Sequence, residues 1–151
     1  MKNTIKKIAL CVIAVILIIG TCAFTACNAT NSDLKTVTVT IGQTPYTIDT
    51  NAEYLHNALL ELKAKGELET YIFLESAYGV EITAISNLDL SNEHSFIAIY
   101  HNIDDATLID YSEYAGKSIE LSGVVYHSSG LGASALPLYD GANYLLTVSS
   151  W

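Results

Sequence analysis

Two repeated dipeptides, Tyr100-His101 and Tyr126-His127, carry the side chains best suited to chemistry in this chain. Neutral imidazole is a common metal ligand that suits zinc and cobalt, and two neighbouring strands would bring the pairs face to face. A histidine beside a strand end more commonly faces solvent, so both interpretations stay open on sequence grounds. His56 and His94 do not belong to a repeated pattern of this kind.

Tyrosines provide a second kind of candidate site. The chain has ten of them, all beyond residue 28. A ring with a polar tip is a good contact surface, and several on one rim would suit a flat conjugated ligand or a protein partner. The alternative is that strand-rich domains simply use tyrosine often. The candidate ligand-binding residues are Tyr78, Tyr100, His101, Tyr126, His127 and Tyr139.

Other chemical motifs are incomplete. Residues 87–93 (NLDLSNE) alternate oxygen donors, but they lack the glycine and the final glutamate of an EF-hand, and a solvated acidic loop is the simpler interpretation. Residues 130–135 (GLGASA) resemble a dinucleotide fingerprint, yet Pro137 would interrupt the helix that must follow. No G-x-S-x-G elbow occurs, and no carboxylate pair stands out for glycoside hydrolysis. The sequence predicts that the protein is not an enzyme and holds no metal at a defined site.

The N-terminal segment predicts where the protein is located. Three lysines within residues 2–7 precede an uncharged apolar stretch over residues 8–23, and Ala26 and Cys27 follow. This order is typical of a secretory signal peptide. The ending FTAC resembles a bacterial lipobox, in which the cysteine is acylated and becomes the mature N-terminus. We expect a lipoprotein signal peptide at residues 1–26, a lipidated Cys27 with a polar tether to residue 35, and an exported domain at residues 36–151.

Two alternatives remain for this segment. Residues 8–26 approach the ~20 residues that an uncleaved transmembrane helix needs, and cleavage could also release the chain without lipid. Cys22 is a poorer lipidation site because Thr21 precedes it. After processing, Cys27 would be the last of the three cysteines, so no disulfide, cysteine metal site or cysteine nucleophile is expected.

Size and charge narrow the function classes. From residue 28 onward there are 124 residues, which is one domain by the usual size range. This part has four lysines, no arginine and sixteen acidic residues, a formal charge of −12. Nucleic-acid binding depends on lysine and arginine, so we expect no nucleic-acid partner. Solubility beside an anionic cell surface is one explanation, and attraction of a cationic partner or metal ions is the other.

Hydrophobic periodicity predicts a hairpin followed by a helix. Val37, Val39 and Ile41 alternate with threonines, residues 42–45 (GQTP) form a turn, and residues 46–48 return as a strand. Residues 50–53 (TNAE) fit a capping box. Apolar residues then recur at helical spacing up to Leu62, and Gly66 closes the helix.

The rest of the chain reads as short strands. Residues 71–74 are an apolar run, and strands are expected at residues 80–84, 96–100, 119–121, 124–126 and 144–148, with a long acidic loop at 102–116. One helix on a mixed sheet of four or five strands is an α+β arrangement. Its layout is that of a ubiquitin-like β-grasp fold.

Three segments together resemble the transcobalamin C-terminal-like family, a domain of unknown function in Gram-positive surface proteins. They are residues 78–87 (YGVEITAISN), 96–102 (FIAIYHN) and 136–144 (LPLYDGANY). The resemblance covers about residues 36–151. Phe96 stands where the family often has tryptophan, and Asn87 where it often has glycine.

The resemblance implies a β-grasp domain, which in vitamin B12 carriers closes over the corrinoid. We therefore expect an extracellular, lipid-anchored, non-catalytic ligand-binding protein, with cobalamin or a related corrinoid as the most concrete ligand. Loops around Tyr78, Tyr100-His101 and residues 126–137 would form the rim. The competing expectation is an interaction or adhesion module that uses the same rim to recognise an envelope protein.

Overall fold

The structure is a computed structural model, and it describes residues 34–77, 79–86, 88, 90, 94–112 and 118–150. Cys27, Tyr78 and most of the calcium-like pattern at residues 87–93 lie outside the described residues. The elements in chain order are β1 (Lys35–Ile41), β2 (Thr44–Thr50), α1 (Leu55–Ala64), β3 (Tyr71–Ser76), β4 (Gly79–Ile85), β5 (Ser95–His101), β6 (Ile119–Leu121), β7 (Val124–Ser128) and β8 (Asn143–Ser150).

The predicted hairpin is confirmed. β1 and β2 pair antiparallel over their full length, and Ile41 lies opposite Thr44 across a two-residue connection. Gly42 adopts a φ of 62° there, a conformation that the first central residue of a tight hairpin turn requires and that glycine adopts without strain. The alternating residues Val37, Val39 and Ile41 are buried, as the period of two predicts.

The helix α1 is also confirmed, with Leu55, Ala58, Leu59 and Leu62 as its buried face. Gly66 follows it with a φ of 77°. The N–H of the next residue, at position 67, donates to the carbonyl of Leu62 at 3.0 Å. This left-handed ending satisfies a carbonyl that the last helical turn leaves unpaired.

The predicted capping box at residues 50–53 is wrong. Tyr54 is the N-cap residue, and no side chain caps the helix. The first two helical N–H groups donate instead to the carbonyls of Leu136 and Ala133, at 3.0 and 2.9 Å. Because tertiary carbonyls satisfy these donors, a local cap is not needed.

Two sheets are present in the described part of the chain. The larger has six strands in the order β2-β1-β8-β5-β7-β6, and β3 pairs with β4 in a separate two-stranded sheet. β1 and β8 are parallel, whereas β5 is antiparallel to both β8 and β7. The α+β class is confirmed. The large sheet exceeds the expected four or five strands because the β6–β7 hairpin extends it past β5.

Each face of the large sheet carries a hydrophobic cluster. On one face, Leu59 of α1 and Ile85 of β4 belong to the same cluster as Val39 and Tyr144 of the large sheet. The opposite face has a smaller cluster, which consists of Ala98, Tyr100, Tyr126 and Leu145 with partly buried residues of the β6–β7 hairpin. The central strands are therefore covered on both sides.

The predicted acidic loop is observed where the structure describes it, at residues 102–112. Its turns are closed by aspartates. Asp105 accepts hydrogen bonds from the N–H and the hydroxyl of Thr107, at 2.9 and 2.7 Å. Asp110 accepts the N–H of Ser112 at 2.8 Å. These are local side-chain-to-backbone bonds of the kind that favours turns over regular structure.

Candidate binding groove beside strand β5

The two Tyr-His pairs lie on neighbouring strands, which is one of the two arrangements that the sequence left open. His101 of β5 lies directly opposite His127 of β7 in the antiparallel register. Tyr100 and Tyr126 both point to the other face, where they join the smaller hydrophobic cluster. The structure therefore brings four of the candidate residues together, but it distributes them over two faces of the sheet.

Tyr100 and Tyr126 are almost completely covered by protein. Their side chains are 4% and 3% exposed, so their ring faces pack against the cluster rather than towards solvent. Tyr126 touches a cavity of about 250 Å³ between the β6–β7 and β1–β2 hairpins. Two tyrosines in this arrangement stabilise the sheet by burying aromatic area and do not form an open aromatic rim.

His101 is fully buried, and both of its ring nitrogens have partners. Nε2 lies 3.0 Å from the carbonyl oxygen of Leu108, and Nδ1 accepts the N–H of Ile103 at 3.2 Å. A carbonyl only accepts, so Nε2 carries the proton and the ring is the neutral tautomer. His101 thereby fixes the start of the acidic loop, and neither nitrogen is left to ligate a metal.

His127 and Tyr139 differ from this buried group. His127 is half-buried, and its Nδ1 lies 3.2 Å from the hydroxyl of Ser118. Tyr139 is 45% exposed, and its N–H donates to the hydroxyl of Tyr144 at 3.0 Å. That hydroxyl donates to the Pro137 carbonyl at 2.9 Å, and burial raises the pKa of Tyr144 to about 12. Tyr139 lies just before the start of β8, away from the other candidates.

A groove of about 870 Å³ lies beside β5. We call it the β5 groove. It adjoins a second depression of about 490 Å³ between β4 and β5. Both are lined by Phe96, Ile97, Ile99 and Gly132. Of the candidate residues that the structure describes, only Tyr100 lines the β5 groove. Its lining is Phe96, Ile97, Ala98, Ile99, Tyr100, Asp110, Ser128, Ser129, Gly130, Leu131, Gly132, Ser149 and Ser150.

The β5 groove exists because β7 leaves β5 early. β5 pairs with β8 over all seven of its residues, but with β7 only at Tyr100 and His101. The N–H of Ser129 still donates to the carbonyl of Ile99 at 2.9 Å, and the N–H of Gly130 then donates to the carbonyl of Leu108 at 2.8 Å. At residues 128–130 the chain pairs with the acidic loop at residues 108–110, and the edge of β5 beside Ile97 borders the groove.

The charge along both depressions is negative. Asp110 lines the β5 groove and Glu81 lines the depression beside β4. Hydrogen bonds from the backbone and hydroxyl of Ser112 lower the pKa of Asp110, which keeps its carboxylate ionised. The described lining residues of the two depressions include no lysine or arginine. The pair of depressions is therefore an apolar channel with an anionic group along each part.

A second contact group lies between α1 and β3. His56 Nδ1 is 2.7 Å from the hydroxyl of Tyr71, and the His56 ring meets Phe73 edge to face with centroids 4.7 Å apart. Burial lowers the pKa of His56, an effect that the carboxylate of Glu75 partly offsets. Burial also raises the pKa of Tyr71. The group is a packed aromatic contact with one titratable ring.

Sequence reasoning missed most of the groove. Ile97 and Ile99 read as ordinary strand residues, and Gly132 belonged to a discarded dinucleotide pattern. Apolar residues on both faces of residues 96–100 do signal a strand that is covered on both sides. Which edge of that strand stays open depends on where β7 departs, and no local pattern encodes this.

Two negative findings concern the described residues alone. They contain no group of three or more histidine, cysteine, aspartate or glutamate side chains arranged to hold a metal ion. In the same part of the chain, no helix has the length and apolar character needed to cross a membrane.

Comparison with known proteins gives a structural likeness. Neither a family model nor a curated protein matches the chain. Solved structures do match, and one of them is a crystal structure from Ruminococcus gnavus named as a "putative metal binding protein". It is 19% identical in sequence, and the match covers 78% of this chain and 98% of that one with a TM-score of 0.49.

Proposed function

We propose that this protein is a lipid-anchored binding protein on the outer face of the cytoplasmic membrane, which takes up a ligand in the β5 groove without catalysis. The observation that carries the proposal is the groove itself. Its volume of about 870 Å³ lies within the range of ligand sites. Its lining combines apolar side chains with the hydroxyls of four serines and one ionised carboxylate, Asp110.

The fold assignment within this proposal is β-grasp. The order β2-β1-β8-β5, with β1 parallel to β8 and α1 packed on one face, is the arrangement expected of that fold. This order supports the resemblance to the transcobalamin C-terminal-like family, and through it a corrinoid as the small-molecule candidate. The covered faces of Tyr100 and Tyr126 favour the second candidate, an envelope polypeptide, because they leave few rings for a flat ligand.

The anchor is proposed from the sequence. Acylation of Cys27 would hold the domain at the membrane through the tether that ends at residue 35. A diacylated cysteine supplies the two chains that stable anchoring needs.

The binding site can be tested by nuclear magnetic resonance on the ¹⁵N-labelled exported chain without the lipidated Cys27, residues 28–151. Cyanocobalamin, haemin, calcium and a peptide of alternating lysine and valine are titrated separately. We expect at least one of them to shift the amide signals of Ile97, Ile99 and residues 129–132. Ligand-induced shifts confined to other parts of the domain would refute the groove as the site.

A variant that fills the groove tests the site, and the same substitution at an exposed position is its matched control. A Cβ at Gly132 would meet only the carbonyl of Val80, at 3.9 Å, so Gly132→Leu adds a side chain to the groove without backbone strain. We expect at least a tenfold loss of affinity. Asn51→Leu adds the same side chain at an exposed site outside the groove and is expected to change affinity less than twofold.

A further inference from the structure

We infer that the occupant of the β5 groove is an extended, cationic polypeptide segment, which pairs with the open edge of β5 as an added strand. This inference rests on the proposed function, because it takes the groove to be the binding site. It goes further by naming the chemical class of the ligand and its mode of binding.

The backbone N–H and carbonyl groups of β5 point alternately towards β8 and towards the opposite edge of the strand. Opposed residues in an antiparallel pair alternate between hydrogen-bonded and non-hydrogen-bonded pairs. The N–H of Asn102 donates to the carbonyl of Asn143, so every second residue back along β5, including Ala98, directs its backbone groups at β8. Ile99 and Ile97 therefore direct theirs the other way. The bond from Ser129 to the Ile99 carbonyl, at 2.9 Å, shows this direction.

The departure of β7 carries the second step. Ser129 is the last residue of that segment to bond with β5, and Gly130 already bonds with Leu108. Two residues back along β5, the N–H and carbonyl of Ile97 point to the side where the groove lies. An unpaired strand edge is a template for another strand, because each of its backbone groups can be satisfied by an extended chain.

The position of the channel suits such a chain. The β5 groove and the depression between β4 and β5 share the side chains of Ile97 and Ile99, so together they follow the strand. A segment of four residues in extended conformation would span roughly 13 Å along it. Alternate side chains of that segment would contact Phe96 on one face, which is 40% exposed, and Val80 and Ile82 on the other.

Charge complementarity sets the composition of the segment. The chain from residue 28 onward has a formal charge of −12 and no arginine. Within the channel, the carboxylates of Asp110 and Glu81 lie along its two parts. A segment with lysine or arginine at spaced positions would be attracted to this surface and would find one carboxylate in each depression.

The test uses three blocked octapeptides and the exported chain without the lipidated Cys27, residues 28–151. The first alternates lysine and valine, the second alternates glutamate and valine, and the third is the lysine peptide with all internal amides N-methylated. We expect the lysine peptide to shift the groove signals and to slow amide hydrogen exchange at Ile97 at least tenfold. The glutamate peptide should bind at least tenfold more weakly, and N-methylation should abolish binding because it removes the backbone donors.

Variants of the protein separate backbone pairing from charge. Ile97→Pro removes the N–H that faces the groove and leaves the bonds to β8 intact, whereas Ile97→Val keeps that N–H. We expect the proline variant to lose the lysine peptide and the valine variant to retain it. Glu81→Gln and Asp110→Asn should each weaken binding about threefold to fivefold and flatten its salt dependence. Circular dichroism establishes that each variant is folded, and the N-methylated peptide gives the same test on unchanged protein.

Three results would overturn the inference, and they differ in what they say about the proposed function. Binding that survives N-methylation, or shifts spread over the acidic surface, would mean charge attraction without strand addition. Groove shifts with cyanocobalamin or haemin but not with the lysine peptide would exclude the polypeptide and leave the binding function intact. If no ligand shifts the groove signals and Gly132→Leu has no effect on any binding, the proposed function fails as well.

Discussion

The buried ring of His101 gives the sharpest prediction for the fold, because any replacement would have to donate one hydrogen bond and accept another. His101→Leu keeps roughly the same volume but leaves the Ile103 N–H without its partner. It also removes one of the two N–H donors to the Leu108 carbonyl, which keeps its bond from Gly130. A buried group that loses its partner costs about 1–3 kcal/mol. Ile103 is only partly buried, which places the loss at its N–H near the lower end of that range. The Leu108 carbonyl keeps its bond from Gly130, so its loss is that of one net hydrogen bond, about 0.5–1.5 kcal/mol.

We therefore expect His101→Leu to lower the free energy of unfolding by about 1.5–2.5 kcal/mol. At about 4 °C per kcal/mol for a domain of this size, the melting temperature should fall by roughly 6–10 °C. His127→Leu is the matched control, since that ring is half-buried and bonded only to an exposed serine. It should change stability by less than about 1 kcal/mol.

Urea denaturation of the mature chain measures both variants, and His101→Gln, which keeps an amide donor, should fall between them. A His101→Leu variant as stable as His127→Leu would refute the structural role of the ring. Long-range ¹⁵N correlation spectra offer an independent check, because the structure requires the proton on Nε2. A proton on Nδ1 would contradict the hydrogen-bond assignment even if the stability result agreed.

Three further predictions follow from local features. Burial lowers the pKa of His56 below its usual 6.5, so the unfolded chain binds the proton more readily than the folded one. The contribution of His56 to stability should therefore be full above about pH 6.5 and fall as the pH drops below it. Urea titrations between about pH 5 and 8 should show this loss of stability, and the loss should be smaller in His56→Phe. Gly66→Ala should lower the free energy of unfolding by about 1–2 kcal/mol, because the φ of 77° is strained for alanine although the space around it is open. Gly66→Asn should lower it less. Equal stability of the wild type and both variants would contradict the left-handed helix ending. Cys27→Ala should move the protein from the membrane fraction of expressing cells to the soluble fraction, and an unchanged distribution would favour the uncleaved helix over lipid.

The elements that sequence predicted well are those whose signals are local. The alternation of Val37, Val39 and Ile41 and the helical spacing from Leu55 to Leu62 each depend on a single segment, and both appear where expected. The helix ending at Gly66 also follows from one residue's backbone freedom. The capping box failed because its competitors, the carbonyls of Leu136 and Ala133, are about 80 residues away in the sequence.

The repeated Tyr-His pair shows why residue type alone misdirected the search for a site. Side chains alternate between the two faces of a strand, so a Tyr-His dipeptide sends its two rings in opposite directions. The register that sets His101 opposite His127 then places both histidines on one face and both tyrosines on the other. Each face has its own hydrophobic cluster, which requires large side chains on both sides of the central strands.

The same reasoning explains why the groove lies beside the pairs and not between them. Pairing of β5 with β7 ends within a few residues of His101, since the chain turns at Gly130 to bond with Leu108. Tyr100 and His101 are therefore the part of β5 that pairs with a strand on both sides, and Ile97 lies beyond them. The ligand that we propose for this groove would therefore contact backbone groups more than aromatic rings. Substitutions of Tyr100 and Tyr126 should then lower the stability of the domain more than they lower its affinity for the ligand.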